Sequence, residues 1–116
     1  MKYTSKEQSE KLVGLGLEKD TCDFAYLKNS ETPTPVEQGK LPANATPCWS
    51  CDRLLELLPM EINMDKFVWK LSVHTQKEDS MYVVTYACNN NTFSKNSTTL
   101  FDAVYDMMHD VLLYFQ

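Results

Sequence analysis

The segment from Phe67 to Thr75 alternates apolar and polar side chains, and this pattern constrains the fold of the 116-residue chain more than any other. In an extended backbone such alternation puts all apolar side chains on one face. That apolar face carries Phe67, Trp69, Leu71 and Val73. Residues 81–88 are rich in β-branched and aromatic side chains, so we expect strands at 67–75 and 81–88 to form an antiparallel hairpin.

Three further segments have the patterns of helices, at 5–13, 51–58 and 99–115. Ser5 and Gln8 fit a capping box at the start of the first, and the last has a broad apolar face. A further short strand is expected at 23–28. This order of elements predicts an α+β fold, with a small, mainly antiparallel sheet packed with about three helices. We expect the last helix to cover the apolar face of the 67–75 strand.

Two segments are predicted to be loops within a single domain spanning 1–116. Residues 29–47 contain four of the five prolines, which excludes a regular helix and disfavours a central strand. Residues 89–98 are rich in asparagine and follow the second hairpin strand.

Charge and hydropathy exclude several classes of partner. A net charge of −5 opposes binding to nucleic acid, which needs clustered Lys and Arg. No apolar run approaches the ~20 residues that span a bilayer, and the polar N-terminal residues do not resemble a secretion signal. The sequence therefore predicts a cytoplasmic protein whose four cysteines are free thiols, with no nucleic-acid or membrane partner.

The stretch Cys48-Trp49-Ser50-Cys51 is the place where chemistry-bearing residues stand at a spacing that chemistry uses. A helix start stabilises a thiolate, so Cys48 and Cys51 are the candidate catalytic residues of a small thiol-disulfide oxidoreductase. Neighbouring Asp52 opposes thiolate formation, and no buried strand of a βαβ unit is predicted before the motif. The favoured interpretation is structural: Ser50 caps the helix, Trp49 packs on Leu54, and the thiols are incidental.

No metal or cofactor is predicted. A zinc site would need two more ligands from Cys22, Cys88, His74 and His109, and their scattered spacing matches no recognised zinc motif.

Asp102, Asp106 and Asp110 recur at four-residue spacing along the last predicted helix, and we call them the acidic row. No Lys or Arg lies between residues 99 and 116, so the row faces either solvent, a cation from elsewhere in the fold, or a basic partner. These three residues are the candidate binding residues.

The chain also resembles a known group of proteins through a set of short phrases. They are Thr4-Ser5-x-Glu7-Gln8-Ser9-x-x-Leu12, Gly16-Leu17 with Thr21 and Asp23, Pro47-Cys48-Trp49-Ser50-x-x-Arg53-Leu54-Leu55-Glu56-Leu57, and Asp102-Ala103-Val104. These phrases resemble small uncharacterised proteins encoded by phages and prophages of gut Bacteroidetes. The resemblance implies a mobile-element origin and no assigned activity, and Cys51 departs from the pattern of that group.

Two functions from different classes are therefore expected. The preferred one is a non-enzymatic protein-interaction module with an unknown protein partner, and the alternative is the oxidoreductase of Cys48 and Cys51. Pairing with a second copy is also expected as an alternative, through an edge strand and aromatic residues such as Tyr82 and Tyr86.

Overall fold

The computed structural model describes residues 2–37, 39–64, 67–76, 80–89 and 91–114. The chain divides into two compact units, residues 1–54 and 55–116. The described residues form three helices and two antiparallel sheets, which confirms the α+β fold class. The single predicted domain stays a prediction.

The first helix, α1 (Lys6–Gly14), has both predicted ends. Ser5 Oγ accepts the Gln8 N–H at 3.1 Å, and the Ser5 N–H donates to Gln8 Oε1 at 2.9 Å, which confirms the capping box. The helix ends where Gly16 adopts a φ of 110°. The N–H groups of Gly16 and Leu17 then bond to carbonyls of the last turn, the pattern of a Schellman motif.

A small three-stranded sheet follows in the order β2-β1-β3, with β1 (Phe24–Tyr26) in the centre. The central strand is the one predicted at 23–28. Its neighbours are β2 (Thr34–Pro35) and β3 (Thr46–Cys48), both within or overlapping the segment 29–47 that was predicted as a loop. That prediction is therefore wrong in part. Pro35 and Pro47 are tolerated because β2 and β3 are the outer strands, where a missing N–H need not break the ladder.

The second helix, α2 (Cys51–Leu57), begins in the first unit directly after β3. Ser50 caps it as predicted, because its Oγ accepts the Arg53 N–H at 3.1 Å. Trp49 and Leu54 are both fully buried, in agreement with their predicted apolar role. The fully buried apolar side chains of this unit are Leu12, Ala25, Cys48, Trp49 and Leu54.

A four-stranded antiparallel sheet dominates the second unit, in the order β4-β5-β6-β7. The predicted hairpin is confirmed as β5 (Phe67–Gln76) and β6 (Met81–Cys88), and residues 77–79 between the two strands lie outside the described residues. Two strands were not predicted. The strand β4 (Glu61–Met64) pairs with the start of β5, and β7 (Asn91–Ser97) pairs with all of β6 except its first residue.

The presence of β7 corrects the predicted loop at 89–98. Asparagine disfavours strands by local propensity, but β7 gains a complete ladder of hydrogen bonds from its neighbour β6. Asn89 has a φ of 54°, a left-handed conformation that asparagine tolerates and that turns the chain between the two strands. Asn89 is thus a turn residue, and Asn91 is the first residue of β7.

The last helix, α3 (Leu100–Tyr114), lies at the predicted position, except that Phe115 falls outside the described residues. Its start is capped by Thr99, whose Oγ1 accepts the Asp102 N–H at 3.2 Å. The buried side chains of α3 are Phe101, Ala103, Val104, Met107, Met108 and Val111.

The packing of α3 differs from the prediction. The main strand contacts of the helix are with β7 and β6, and the β5 strand that carries the predicted apolar face is not among them. Phe67 remains 51% exposed and Val73 42% exposed. The cause is β7, which places β6 in the interior of the sheet, so that the larger apolar surface to be covered lies around Val84 and Tyr86.

Substitutions along α3 test this packing. Met107 is 0% exposed and Leu113 is 48% exposed, so we expect Met107→Ala to lower the free energy of unfolding by about 2–5 kcal/mol. Leu113→Ala should cost less than about 1 kcal/mol because little apolar surface is buried there. Urea denaturation followed by circular dichroism measures both. Equal losses for the two variants would contradict the assigned face of α3.

Candidate functional site

The Cys48–Cys51 segment is held by the N-terminal residues, which run antiparallel beside it. The Thr4 N–H donates to the Trp49 carbonyl at 2.9 Å, and the Cys51 N–H donates to the Lys2 carbonyl at 3.2 Å. Between them, Tyr3 and Ser50 form an isolated antiparallel bridge. The motif is therefore part of a buried strand-like pairing before it becomes helix.

Thr4 is the hydrogen-bond hub of this region, although it is a fully buried polar residue. Its carbonyl accepts from the Tyr26 hydroxyl at 2.9 Å and from Cys48 Sγ at 3.3 Å. Its Oγ1 accepts the Trp49 N–H at 3.0 Å and is hydrogen-bonded to Ser9 Oγ at 2.7 Å. Each buried polar group at this point thus has a partner, as burial requires.

Asp23 fixes the start of α2 from the other side. One carboxylate oxygen accepts the Ser50 N–H at 2.9 Å, and the other accepts the Ser50 hydroxyl at 2.5 Å. Thr21 adds two contacts, since its Oγ1 accepts from the Trp49 indole at 3.0 Å and its carbonyl accepts from Arg53 Nε at 2.7 Å. These contacts assign Ser50 to capping and not to nucleophilic chemistry.

The candidate catalytic thiols are not presented together. Cys48 lies in β3 with no exposed surface, whereas Cys51 is the partly exposed first residue of α2. Burial raises the pKa of the Cys48 thiol to about 11, against the opposing effect of hydrogen bonds to Thr4 and Tyr26. Burial, then the charge of Asp52, raises the pKa of Cys51. Both shifts disfavour the thiolate that attacks a disulfide.

The acidic row, in the second unit, does have a cation from elsewhere in the fold. Lys95 of β7 forms an ion pair with Asp110, with Nζ 2.6 Å from Oδ2. His109 Nδ1 lies 3.0 Å from the other oxygen of Asp110. Burial opposes ionisation of Asp110, but the hydrogen bonds from Lys95 and His109 outweigh it and hold the pKa below its ordinary value.

The other two carboxylates of the row have no ion pair within the part of the chain that the structure describes. The side chain of Asp106 is exposed, but its carboxylate lies close enough to the protein to lose part of its solvation, which raises its pKa. The charge of Lys95 lowers this pKa, and the charges of Asp102 and Asp110 raise it. One lysine therefore stands against three carboxylates on this flank of α3. The acidic row keeps an excess of negative charge beside β7.

The strand β7 presents alternate side chains to this row. Phe93 and Lys95 share the face covered by α3, and Lys95 Nζ lies 5.7 Å from the centre of the Phe93 ring. Ser94 points to the opposite face, where its hydroxyl lies 3.1 Å from Thr85 Oγ1. Lys95 and the row thus form one charged surface.

Pairing with a second copy stays a prediction, but Tyr82 and Tyr86 do not lie on an edge strand. The strand β6 is interior to the sheet, and Tyr86 is fully buried with its hydroxyl donating to the Pro59 carbonyl at 2.8 Å. Neither feature suits an edge that pairs with a second copy.

Within the described ranges, no group of three or more His, Cys, Asp or Glu side chains is arranged to hold a metal ion. None of the helices described in those ranges has the length and apolar character needed to cross a bilayer.

Comparison with known proteins adds no relative. No family model matches the chain, and neither a curated protein nor a solved structure is significantly similar to it. The resemblance to phage and prophage proteins accordingly stays a prediction.

The sequence pattern did not identify Thr4, Asp23 or Lys95 as organising residues. Thr4 and Asp23 stand within the phrases of the resemblance but have no local signal of their buried contacts. Lys95 lay in a predicted loop, and recognising β7 would have placed it beside the last helix.

Thiol labelling tests the assignment of the cysteines. At pH 8 a thiol with a pKa of about 11 is only about one part in a thousand thiolate, and Cys48 is also inaccessible. We expect iodoacetamide to modify Cys51 first, and to modify Cys22 and Cys48 only after unfolding in guanidinium chloride. Tandem mass spectrometry of tryptic peptides locates the modified sites, because Cys48 and Cys51 lie on one peptide, 41–53. Native labelling of Cys48 as fast as Cys51 would contradict the burial of that thiol.

Replacing the cation of the Lys95–Asp110 pair tests the electrostatics. In Lys95→Met, burial is no longer offset by the lysine, so we expect the pKa of Asp110 to rise, as measured by NMR titration of its side-chain carbon.

The sign for stability follows from that shift. Because the pKa of Asp110 is lowered in the folded protein, its ionised form stabilises the fold at pH values above the pKa of the unfolded state. This contribution to stability is lost as the pH falls through the folded-state pKa. Lys95→Met should therefore cost at most about 1 kcal/mol at pH 7, and the cost should shrink on acidification through the Asp110 titration. Lys70→Met, on exposed β5, is the control and should show no such pH dependence.

Proposed function

We propose that this protein is a non-enzymatic protein-interaction module, which binds a basic segment of another protein at the acidic row. The observation that carries the proposal is the exposed carboxylate of Asp106, which has no ion pair within the described ranges although Lys95 neutralises the neighbouring Asp110. Expected features of the module are an origin in phages or prophages and a place in the cytoplasm, as inferred from the sequence.

The energetics of the row favour a cation at Asp106. Partial burial raises the pKa of Asp106; the charge of Lys95 lowers it, and the charges of Asp102 and Asp110 raise it, with a net shift upward. A lysine or arginine brought within contact distance favours the ionised form and relieves the like-charge repulsion. Binding should therefore strengthen with the number of partner cations and weaken as salt is added.

The oxidoreductase alternative has less support. Cys48 is inaccessible, its thiolate is disfavoured by burial, and its Sγ is engaged with the Thr4 carbonyl. Cys51 is partly exposed but Cys48 is not, so a mixed disulfide formed at Cys51 would have no accessible second thiol in the motif to release it. An interaction module predicts that Cys51→Ser retains partner binding.

A charge reversal on α3 tests the proposed function. A fluorescein-labelled octamer of lysine serves as the probe, and its binding is measured by fluorescence anisotropy in low salt. We expect Asp106→Lys to weaken binding by about tenfold or more, because it replaces an attraction by a repulsion at the centre of the row.

The matched control is Glu61→Lys, which changes the net charge equally at an exposed position of β4. This variant should lose less than about threefold, since its charge lies away from the row. Equal losses for the two variants would show that net charge alone attracts the peptide, and would refute a site at the acidic row.

A further inference from the structure

The outer side of β7 is a sheet edge. Among the strands described for this sheet, in the order β4-β5-β6-β7, β7 has a neighbour on one side only. Its seven residues pair with β6 in uninterrupted register, and they include no proline or glycine. Edge strands are usually protected by proline, bulges, shortness or free lysine side chains. β7 has no proline, no bulge in its register with β6, and a length of seven residues. Its one lysine, Lys95, is paired with Asp110.

The register identifies the backbone groups at that edge. Two residues separate the paired Cys88 and Asn91, and a two-residue hairpin connection closes on a pair that exchanges hydrogen bonds. Alternation from Asn91 then turns the backbone groups of Phe93 and Lys95 toward β6. The N–H and C=O groups that point away from β6 belong to Thr92, Ser94 and Asn96.

We propose that the basic partner segment binds as an extended strand added to the outer edge of β7, with lysine or arginine at alternate positions on the face of α3. This inference rests on the proposed function and specifies its binding mode. Main-chain bonds to residues 92, 94 and 96 supply affinity, and the alternate basic side chains supply specificity.

Charge complementarity selects this occupant. An added strand lies about 4.8 Å from β7, so its alternate side chains on the α3 face come beside Phe93 and Lys95. The acidic row is next to those positions, because Lys95 contacts Asp110 and Asp106 lies within its electrostatic range. The excess carboxylate charge of the row attracts cations on the face of the incoming strand that lies toward α3.

A second copy of the chain fits this edge less well. Antiparallel pairing of two β7 strands would bring two Lys95 side chains and two acidic rows to the same junction. Each chain also has a net charge of −5, which opposes association of identical copies. The opposite edge, β4, has only four residues and begins two residues after Pro59, so it offers a shorter ladder.

Alternate N-methylation tests the binding mode directly. The probe is a blocked nonapeptide of alternating threonine and lysine, prepared in two further forms with methyl groups on either all threonine amides or all lysine amides. In an added antiparallel strand the threonine amides face β7 and the lysine amides face solvent. We expect methylated threonines to weaken binding by about tenfold or more, and methylated lysines to change it less than about threefold.

Variants of β7 provide the complementary test. Asn96→Pro removes one outward N–H without removing a bond to β6, as proline is tolerated on an edge strand. Asn96→Thr keeps that N–H and serves as the matched control. We expect the proline variant alone to lose affinity for the unmethylated peptide, at least about threefold, with both variants folded by circular dichroism.

The outcomes separate this inference from the proposed function. Equal affinities for both methylated peptides, with binding still lost in Asp106→Lys, would overturn strand addition and leave the interaction at the acidic row intact. Insensitivity to Asp106→Lys as well would overturn both. Dimers in sedimentation that the peptide dissociates would show that a second copy takes the edge, and would overturn the proposed occupant.

Discussion

Burial of residues 48–50 forces their polar groups to find partners inside the protein, and Thr4 supplies three of them. A buried amide or carbonyl without a hydrogen bond costs about 1–3 kcal/mol, so several unmet groups would exceed the margin by which small domains are stable. Thr4 meets this requirement through its N–H, carbonyl and hydroxyl together. The conformation of the Cys48–Cys51 segment depends on Thr4 together with the contacts that Asp23 and Thr21 make to Ser50 and Trp49.

This constraint also decides what the cysteines can do. The buried Cys48 thiol remains protonated, because its thiolate would lose solvation by water. The same pairing turns Ser50 toward Asp23 and the start of α2. Residues 49 and 50 join the strand β3 to the helix α2.

Local patterns predicted the helices well because their signals lie within a few residues. The capping box of Ser5 and Gln8 and the alternation of β5 are both local and both confirmed. The strand β7 was missed because its stability comes from pairing with β6 and not from its own composition. The misplaced cover of α3 follows from that omission, since an unrecognised fourth strand moves the centre of the apolar face.

The sequence predicted the acidic row of the candidate site but not the lysine that faces it. The spacing of Asp102, Asp106 and Asp110 is visible in the sequence, whereas the Lys95 that faces them depends on the register of β7. That register also shows why a polar strand at this edge need not cause self-association. Pairing of two β7 edges would bring like charges together, whereas pairing of β7 with an extended basic segment would bring opposite charges together. The acidic row that opposes a second copy therefore favours a cationic strand.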